Sequence, residues 1–310
     1  MMNHQGSVIP GRVASEAEQV RRRLEIRVLC LSAVLILHLC AVVCAQNFRF
    51  IHTSDTHVNP HRTQDSNAAR NEELFREISG LQPRPAMAIN TGDVVEVGSQ
   101  LEYALLRERL KSMTVPCYHT PGNHDTRWNP LGKEGFVRGT GQPLFQHIEH
   151  EGVHFFLLDS TVLLEHWGHI SQQQLDWLQR ELDRIGPEPP VVLAFHHWIG
   201  RDKVQVDNEQ DLIDLVEPYN VVLWLNGHGH SDLLWNINGA PAIMQKGLYQ
   251  GSYGVIDVSP DHMAITRRHL AGTPARNELI RDKSVPESRE VVWTPVGQFP
   301  MRRPAPPQWS

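Results

Sequence analysis

Side chains able to donate to a metal cation stand at the ends of five short hydrophobic runs of this chain. Asp55 and His57 close "FRFIHTSDTH", and Asp93 follows Gly92 in "AMAINTGD". Asn123, His124 and Asp125 follow Gly122 in "VPCYHTPGNHD", and His196 and His197 close "VVLAFHH". His228 and His230 alternate with Gly227 and Gly229 in "VVLWLNGHGH". In an extended segment, side chains at i and i+2 face the same way, so Asp55 with His57, and His228 with His230, can each meet one cation. Glycine beside them lets the backbone approach closely. One polar strand end is ordinary. Five, each with a metal-capable side chain, point to a single crevice, because strand C-termini converge in an α/β sheet.

Two aspartates, an asparagine and the histidines exceed the four ligands that one zinc ion needs. The surplus fits two divalent or mixed-valence ions with one bridging carboxylate and open positions for water and substrate. A pair of cations clamps the attacking and departing oxygens of an in-line displacement, which suits a phosphate ester. Mixed nitrogen and oxygen ligands accept iron, manganese or zinc alike.

These residues must be carried by regular elements. Strand-like runs alternate with helical patterns such as "NEELFREISG", closed by Gly80, and "SQQQLDWLQRELDRI", where Ser171 and Gln174 are placed as a capping box. The alternation predicts an α/β domain with buried central strands. After "GHGHSD" short strands joined by Gly, Asn and Asp turns close the domain on an antiparallel side. The expected organisation is an N-terminal segment at 1–45, a catalytic domain at 46–270, and a proline-rich tail at 271–310 that wraps the surface or is disordered.

Arg21, Arg22, Arg23 and Arg27 precede an 18-residue apolar run at 28–45. That pattern reads as a signal peptide or an N-terminal membrane anchor, and both place the catalytic domain outside the cytoplasm, periplasmic or secreted. Cys30, Cys40 and Cys44 fall in this run, so Cys117 stands alone in the rest and no internal disulfide is expected. Losing the five basic and three acidic residues of 1–45 would move the net charge from −6 to −8. An acidic chain without a basic tract argues against nucleic acid as a partner.

Taken in order, the "DTH" of "HTSDTH", the "GD" of "NTGDVV", "GNHD", the "HH" of "AFHHW" and "GHGH" resemble the signature blocks of the calcineurin-like metallophosphoesterases, from about Phe48 to Leu270. The resemblance implies a four-layer αββα sandwich of two mixed sheets. It also implies that Asp55, His57 and His230 hold one metal, that Asn123, His196 and His228 hold the other, and that Asp93 bridges. By the same resemblance His124 faces the substrate and assists the leaving oxygen, Asp125 orients His124, and a hydroxide between the metals attacks. Choosing His196 over His197 rests on the family's pattern of histidine, one residue, proline, in which Trp198 here replaces the proline.

Glu96 stands where purple acid phosphatases carry a tyrosine, so a tyrosinate-iron site is not expected. The stretch from Gly92 to Asp125 looks more like the cyclic-nucleotide and glycerophosphodiester phosphodiesterases, which favours a phosphodiester over a monoester; the expected substrate is a small-molecule or headgroup phosphate ester. Trp128, Trp167, Trp198, His166 and Arg201 could line a pocket near the run ends. The competing readings are an exported phosphomonoesterase and a non-catalytic metal-binding interaction protein; the "HxHxDH" cluster of dinuclear lactonases is absent.

Overall fold

The computed structural model describes residues 47–60, 67–201, 203–271 and 290–303. The apolar run at 28–45 lies outside the described residues, and with it the signal or anchor expected there. Among the described residues, no helix is long and apolar enough to cross a membrane.

The described strands form two six-stranded sheets. In the first, β1 (Phe48–Thr53) pairs in parallel with β2 (Met87–Asn90), and β2 with β3 (Cys117–His119). The second contains β4 (Gln146–His150), β5 (Val153–Leu157), β6 (Val191–Ala194), β7 (Val221–Asn226), β8 (Leu233–Ile237) and β9 (Ala240–Met244), in the order β4-β5-β6-β7-β9-β8. Its four central strands run parallel, with β4 and β8 antiparallel at the edges. The chain then returns to the first sheet, where β10 (Tyr253–Val258) lies antiparallel to β1 and is followed outward by β11 (His262–Leu270) and β12 (Val291–Pro300).

The helices are α1 (Asn67–Gly80), α2 (Gln100–Leu110), the single turn α3 (Asn123–Thr126), α4 (Lys133–Thr140), α5 (Gln172–Ile185) and α6 (Glu209–Val216). Alternation within each strand decides which layer its residues serve. Phe50 of β1 faces the second sheet and meets Phe155 of β5 edge-on at 5.1 Å. Its neighbour Ile51 faces the other way, against Leu74 and Ile78 of α1. The core between the sheets joins Phe50, Ile89 and Ile256 to Phe155, Val192 and Leu223. On the far side of the second sheet, Leu175, Leu178 and Leu182 of α5 and Leu212 of α6 pack on Phe156, Leu193 and Trp224. The layers are helix, sheet, sheet, helix, as the resemblance implied. Burial on both faces is why the central strands read as continuous apolar runs.

Two local expectations are corrected. Ser171 Oγ caps α5 by accepting from Gln174 N, but the Gln174 side chain does not reach back. Its amide instead forms two hydrogen bonds to the backbone of Asp159, accepting from N at 2.7 Å and donating to O at 2.8 Å. The segment 271–310 is not wholly irregular either. Val291–Pro300 is an edge strand on β11, with a register shift at Ile265/Thr266 opposite Pro295. Proline is tolerated at such an edge, and its presence masked the strand in the sequence.

Candidate metal centre

The site lies where β1, β2, β3, β6 and β7 end. Backbone hydrogen bonds continue the β1–β2 pairing into the loops: Thr91 N donates to Thr53 O, Asp55 N to Gly92 O and His57 N to Asp93 O, all at 2.9 Å. The β6 and β7 loops are tied likewise, Gly227 N donating to His196 O at 2.9 Å. The loops therefore leave the two sheets in fixed pairs and deliver their side chains to one place.

The way they do so differs from the extended arrangement expected for Asp55/His57 and His228/His230. Asp55, His57, Asp93, His228 and His230 have left-handed φ values of 50, 48, 52, 67 and 46°. A non-glycine residue held there costs about 1–3 kcal/mol, and such strain persists where the surroundings over-determine it. The i, i+2 pairs converge by curling, not by the pleat of a strand.

Asp55 Oδ1 lies 2.9 Å from His230 Nε2 and 3.8 Å from His57 Nε2, and the two imidazole nitrogens are 3.3 Å apart. Across from them, His196 Nε2, His228 Nδ1 and Asn123 Oδ1 lie 2.9–3.2 Å from one another. Asp93 stands between the groups, with Oδ2 3.7 Å from His57 Nε2 and 3.2 Å from His196 Nε2. Its Oδ1 accepts from the backbone N–H of His124 at 2.8 Å.

Divalent cations fit this donor set. Ligand atoms about 2.1 Å from one ion stand about 3.0–3.4 Å from each other, and the separations here run from 2.9 to 3.8 Å around that range. Both carboxylate oxygens of Asp55 are buried, and apart from the His230 nitrogen 2.9 Å from Oδ1 no protein group completes them. Outward-facing ring nitrogens are held: His196 Nδ1 donates to Thr91 O at 2.7 Å, His230 Nδ1 lies 2.9 Å from the Tyr249 hydroxyl, and His57 Nδ1 lies 3.2 Å from Glu96 Oε2. Such contacts fix ring orientation and aim the other nitrogen at the ion.

Burial pushes the Asp93 carboxyl up, yet His196, His124 and His57 together hold it well below the usual range. Asp55 is pushed up by burial and pulled down by His230 and His196, to about 2. Burial lowers His196 while Asp93 raises it, to about 9. His228 is held well below the usual imidazole range by burial and by the charges of His197 and His196.

Of the remaining expected residues, His124 borders the site, its ring 4.7 Å from that of His57. Asp125 does not contact the His124 ring. Its carboxylate accepts from Gly122 N at 2.8 Å, Val95 N at 3.1 Å and Val94 N at 3.3 Å, bracing the β2 and β3 loops against each other. The Glu96 carbonyl oxygen orients His124 instead, accepting from Nδ1 at 2.7 Å. The one-turn helix explains the change: Asp125 points back to cap it. His197 faces away from Asp93, between Ser160 Oγ at 2.8 Å and His166 O at 2.9 Å.

Among the pocket candidates, His166 Nδ1 lies 3.4 Å from Asn123 Nδ2, Trp128 meets His124 edge-on at 5.1 Å, and Trp198 lies 5.4 Å from His228. Trp167 is exposed, and Arg201 stacks over Trp235. Sequence reasoning missed Tyr249 and the Thr91 carbonyl. Neither carries a spacing signal, because Tyr249 reaches His230 only through the fold.

A sandwich of two mixed sheets with an acidic, histidine-rich cluster at its strand ends defines a metal-dependent hydrolase. The calcineurin-like phosphoesterase profile matches residues 48–232, and the chain belongs to that family of metal-dependent phosphoesterases. A probable glycerophosphodiester phosphodiesterase of Arcobacter nitrofigilis is 33% identical over 205 residues, 60% of this chain and 74% of that protein. A 3',5'-cyclic adenosine monophosphate phosphodiesterase of Pseudomonas aeruginosa is 33% identical over 172 residues, and the match spans 52% of this chain and 60% of that relative. The solved purple acid phosphatase PPD1 of yellow lupin (Lupinus luteus) shares the fold, with a TM-score of 0.55 at 12% identity over 75% of this chain and 53% of that one.

Proposed function

We propose that the chain hydrolyses a phosphodiester at a centre of two divalent ions. The observation that carries this reading is Asp93, whose Oδ2 belongs to both ligand groups. Asp55, His57 and His230 would hold one ion and Asn123, His196 and His228 the other, with Asp93 between them. When bound, such ions supply Lewis acidity and a nucleophile at neutral pH.

The chain's own residues do the rest. The Glu96 carbonyl accepts a hydrogen bond from the Nδ1–H of His124, which leaves Nε2 as the atom that holds a proton for the departing oxygen. Asp93 accepts the His124 backbone N–H and so ties the position of that histidine to the metal centre. Asp125 holds the Gly122 turn and thereby the Asn123 amide. The diester preference is supported by the phosphodiesterase relatives, whose substrates differ from one another in the group beyond the phosphate. The domain is further proposed to work outside the cytoplasm behind the apolar run at 28–45, which a fusion to a reporter active only after export would test.

The functional test uses the purified full chain. It combines elemental analysis with hydrolysis of bis(p-nitrophenyl) phosphate and p-nitrophenyl phosphate, beside Asp93→Asn. About two ions per chain and faster diester turnover, lost in the variant, is the expected result. Full metal occupancy without turnover of either ester would favour the binding-protein reading.

A further inference from the structure

Arg127 follows α3 directly, and its backbone N–H donates to Asn123 O at 2.9 Å. Arg127 is thus one helical turn from Asn123, as Trp128 is one turn from His124. The guanidinium lies over the Trp128 indole, with Cζ 4.8 Å from the ring centroid. Its Nη1 is buried without a hydrogen-bond partner, and no ion pair engages Arg127 among the described residues. Trp128 faces His124 on one side and His166 at 6.2 Å on the other, and His166 reaches Asn123. The Arg127 charge acts on His166 as well, adding to the burial that holds this imidazole below its usual range. A charged donor withdrawn from water is costly unless an acceptor completes it, and an anionic oxygen is its strongest partner.

We infer that Arg127 is a substrate-binding residue whose guanidinium, placed beside His124 and His166 by Trp128, donates to a phosphoryl oxygen of the bound ester that the metal ions do not hold. Trp128 is its positioning residue, fixing the guanidinium plane by a cation–π contact and walling the site beside His124. The inference rests on the phosphoesterase reading. It adds a fixed positive charge to that site from a residue outside the ligand set.

The test compares the metal-loaded full chain with Arg127→Gln, Arg127→Lys and Trp128→Ala. Metal content, the affinity for inorganic phosphate by calorimetry, and KM and kcat for bis(p-nitrophenyl) phosphate are measured. Arg127→Gln is expected to weaken phosphate binding and raise KM about 10- to 100-fold with metal content unchanged, the loss of one charge-assisted hydrogen bond. Arg127→Lys should recover part of that loss, since the charge returns without the planar fork. Phosphate affinity within two-fold of wild type in Arg127→Gln, with metal retained, would overturn the inference. If Arg127→Gln loses metal, Trp128→Ala decides: weakened phosphate binding supports the assignment and unchanged binding removes it. A wild type that turns over no ester counts against the phosphoesterase reading, whereas an active wild type with an indifferent Arg127→Gln counts against Arg127 alone.

Discussion

Replacing Gly122 with alanine should strip metal from the site although the backbone there suits any residue. Gly122 has φ −110° and ψ 172°, an extended conformation, so no torsional strain is added. The obstacle is contact. A Cβ at this position would lie 2.2 Å from Asp93 Oδ1, 2.3 Å from Asp93 N and 2.9 Å from Asp93 Cγ, where ordinary contact begins at 3.4 Å. Relief requires a shift of about 1 Å, several times the ±0.2 Å that metal–ligand distances tolerate. The backbone of Asp93 cannot yield alone, because its carbonyl accepts from His57 N and its carboxylate from His124 N. Overpacking of this kind costs about 1–3 kcal/mol, or about 2–12 °C in Tm for a domain of this size. Displacing the carboxylate shared by both ligand groups should cost at least the 10- to 100-fold in metal affinity seen when a supporting contact is lost. Elemental analysis after dialysis and thermal denaturation with and without added metal read both effects. Gly80→Ala is the control, since a Cβ there meets nothing within 4 Å. Wild-type metal content and Tm in Gly122→Ala would refute the reasoning.

Metal binding should strengthen as pH rises from 7 toward 9, because the His196 proton, held up to about 9 chiefly by Asp93 against burial, must leave before Nε2 can ligate. Calorimetry in buffers of different ionisation enthalpy would register proton release, and pH-independent binding would contradict it. Burial holds His119 near 4, so its contribution to stability is complete above the unfolded value of 6.5 and is lost as pH falls from 6.5 toward 4, about 3 kcal/mol in all. His119→Gln should flatten that part of the Tm–pH curve measured on metal-free protein; an unaltered slope would count against the assignment. Burial raises the Cys117 thiol to about 12, so alkylation at pH 8 should be slow in the folded protein and fast in denaturant, and equal rates would refute this.

Much of the site was legible before any fold was known. A polar end to one apolar run is ordinary, but five ends that each carry aspartate, asparagine or histidine are legible, because the chemistry of a metal centre restricts which side chains serve it. The roles of Asp125 and Glu96 were not legible, because they depend on which way a single helical turn faces. Asp125 caps backbone amides, and His124 is oriented by a carbonyl group that every residue possesses. Strand β12 was hidden for a related reason: an edge strand needs neither continuous burial nor freedom from proline, so its pattern resembles that of a tail.

The sequence by itself determined the inventory and the elements. Five apolar runs specify buried strands, and the polar groups after them specify where the chemistry gathers. Tertiary structure alone decided that Asp93 stands between the two ligand groups, that left-handed turns aim Asp55, His57, His228 and His230, and that Tyr249 and Thr91 hold their partners' rings. The physical reason is range. Hydrophobic periodicity is written into neighbouring residues, whereas a ligand sphere is assembled from atoms up to 175 positions apart in the chain, and their distances exist only once two sheets have packed face to face.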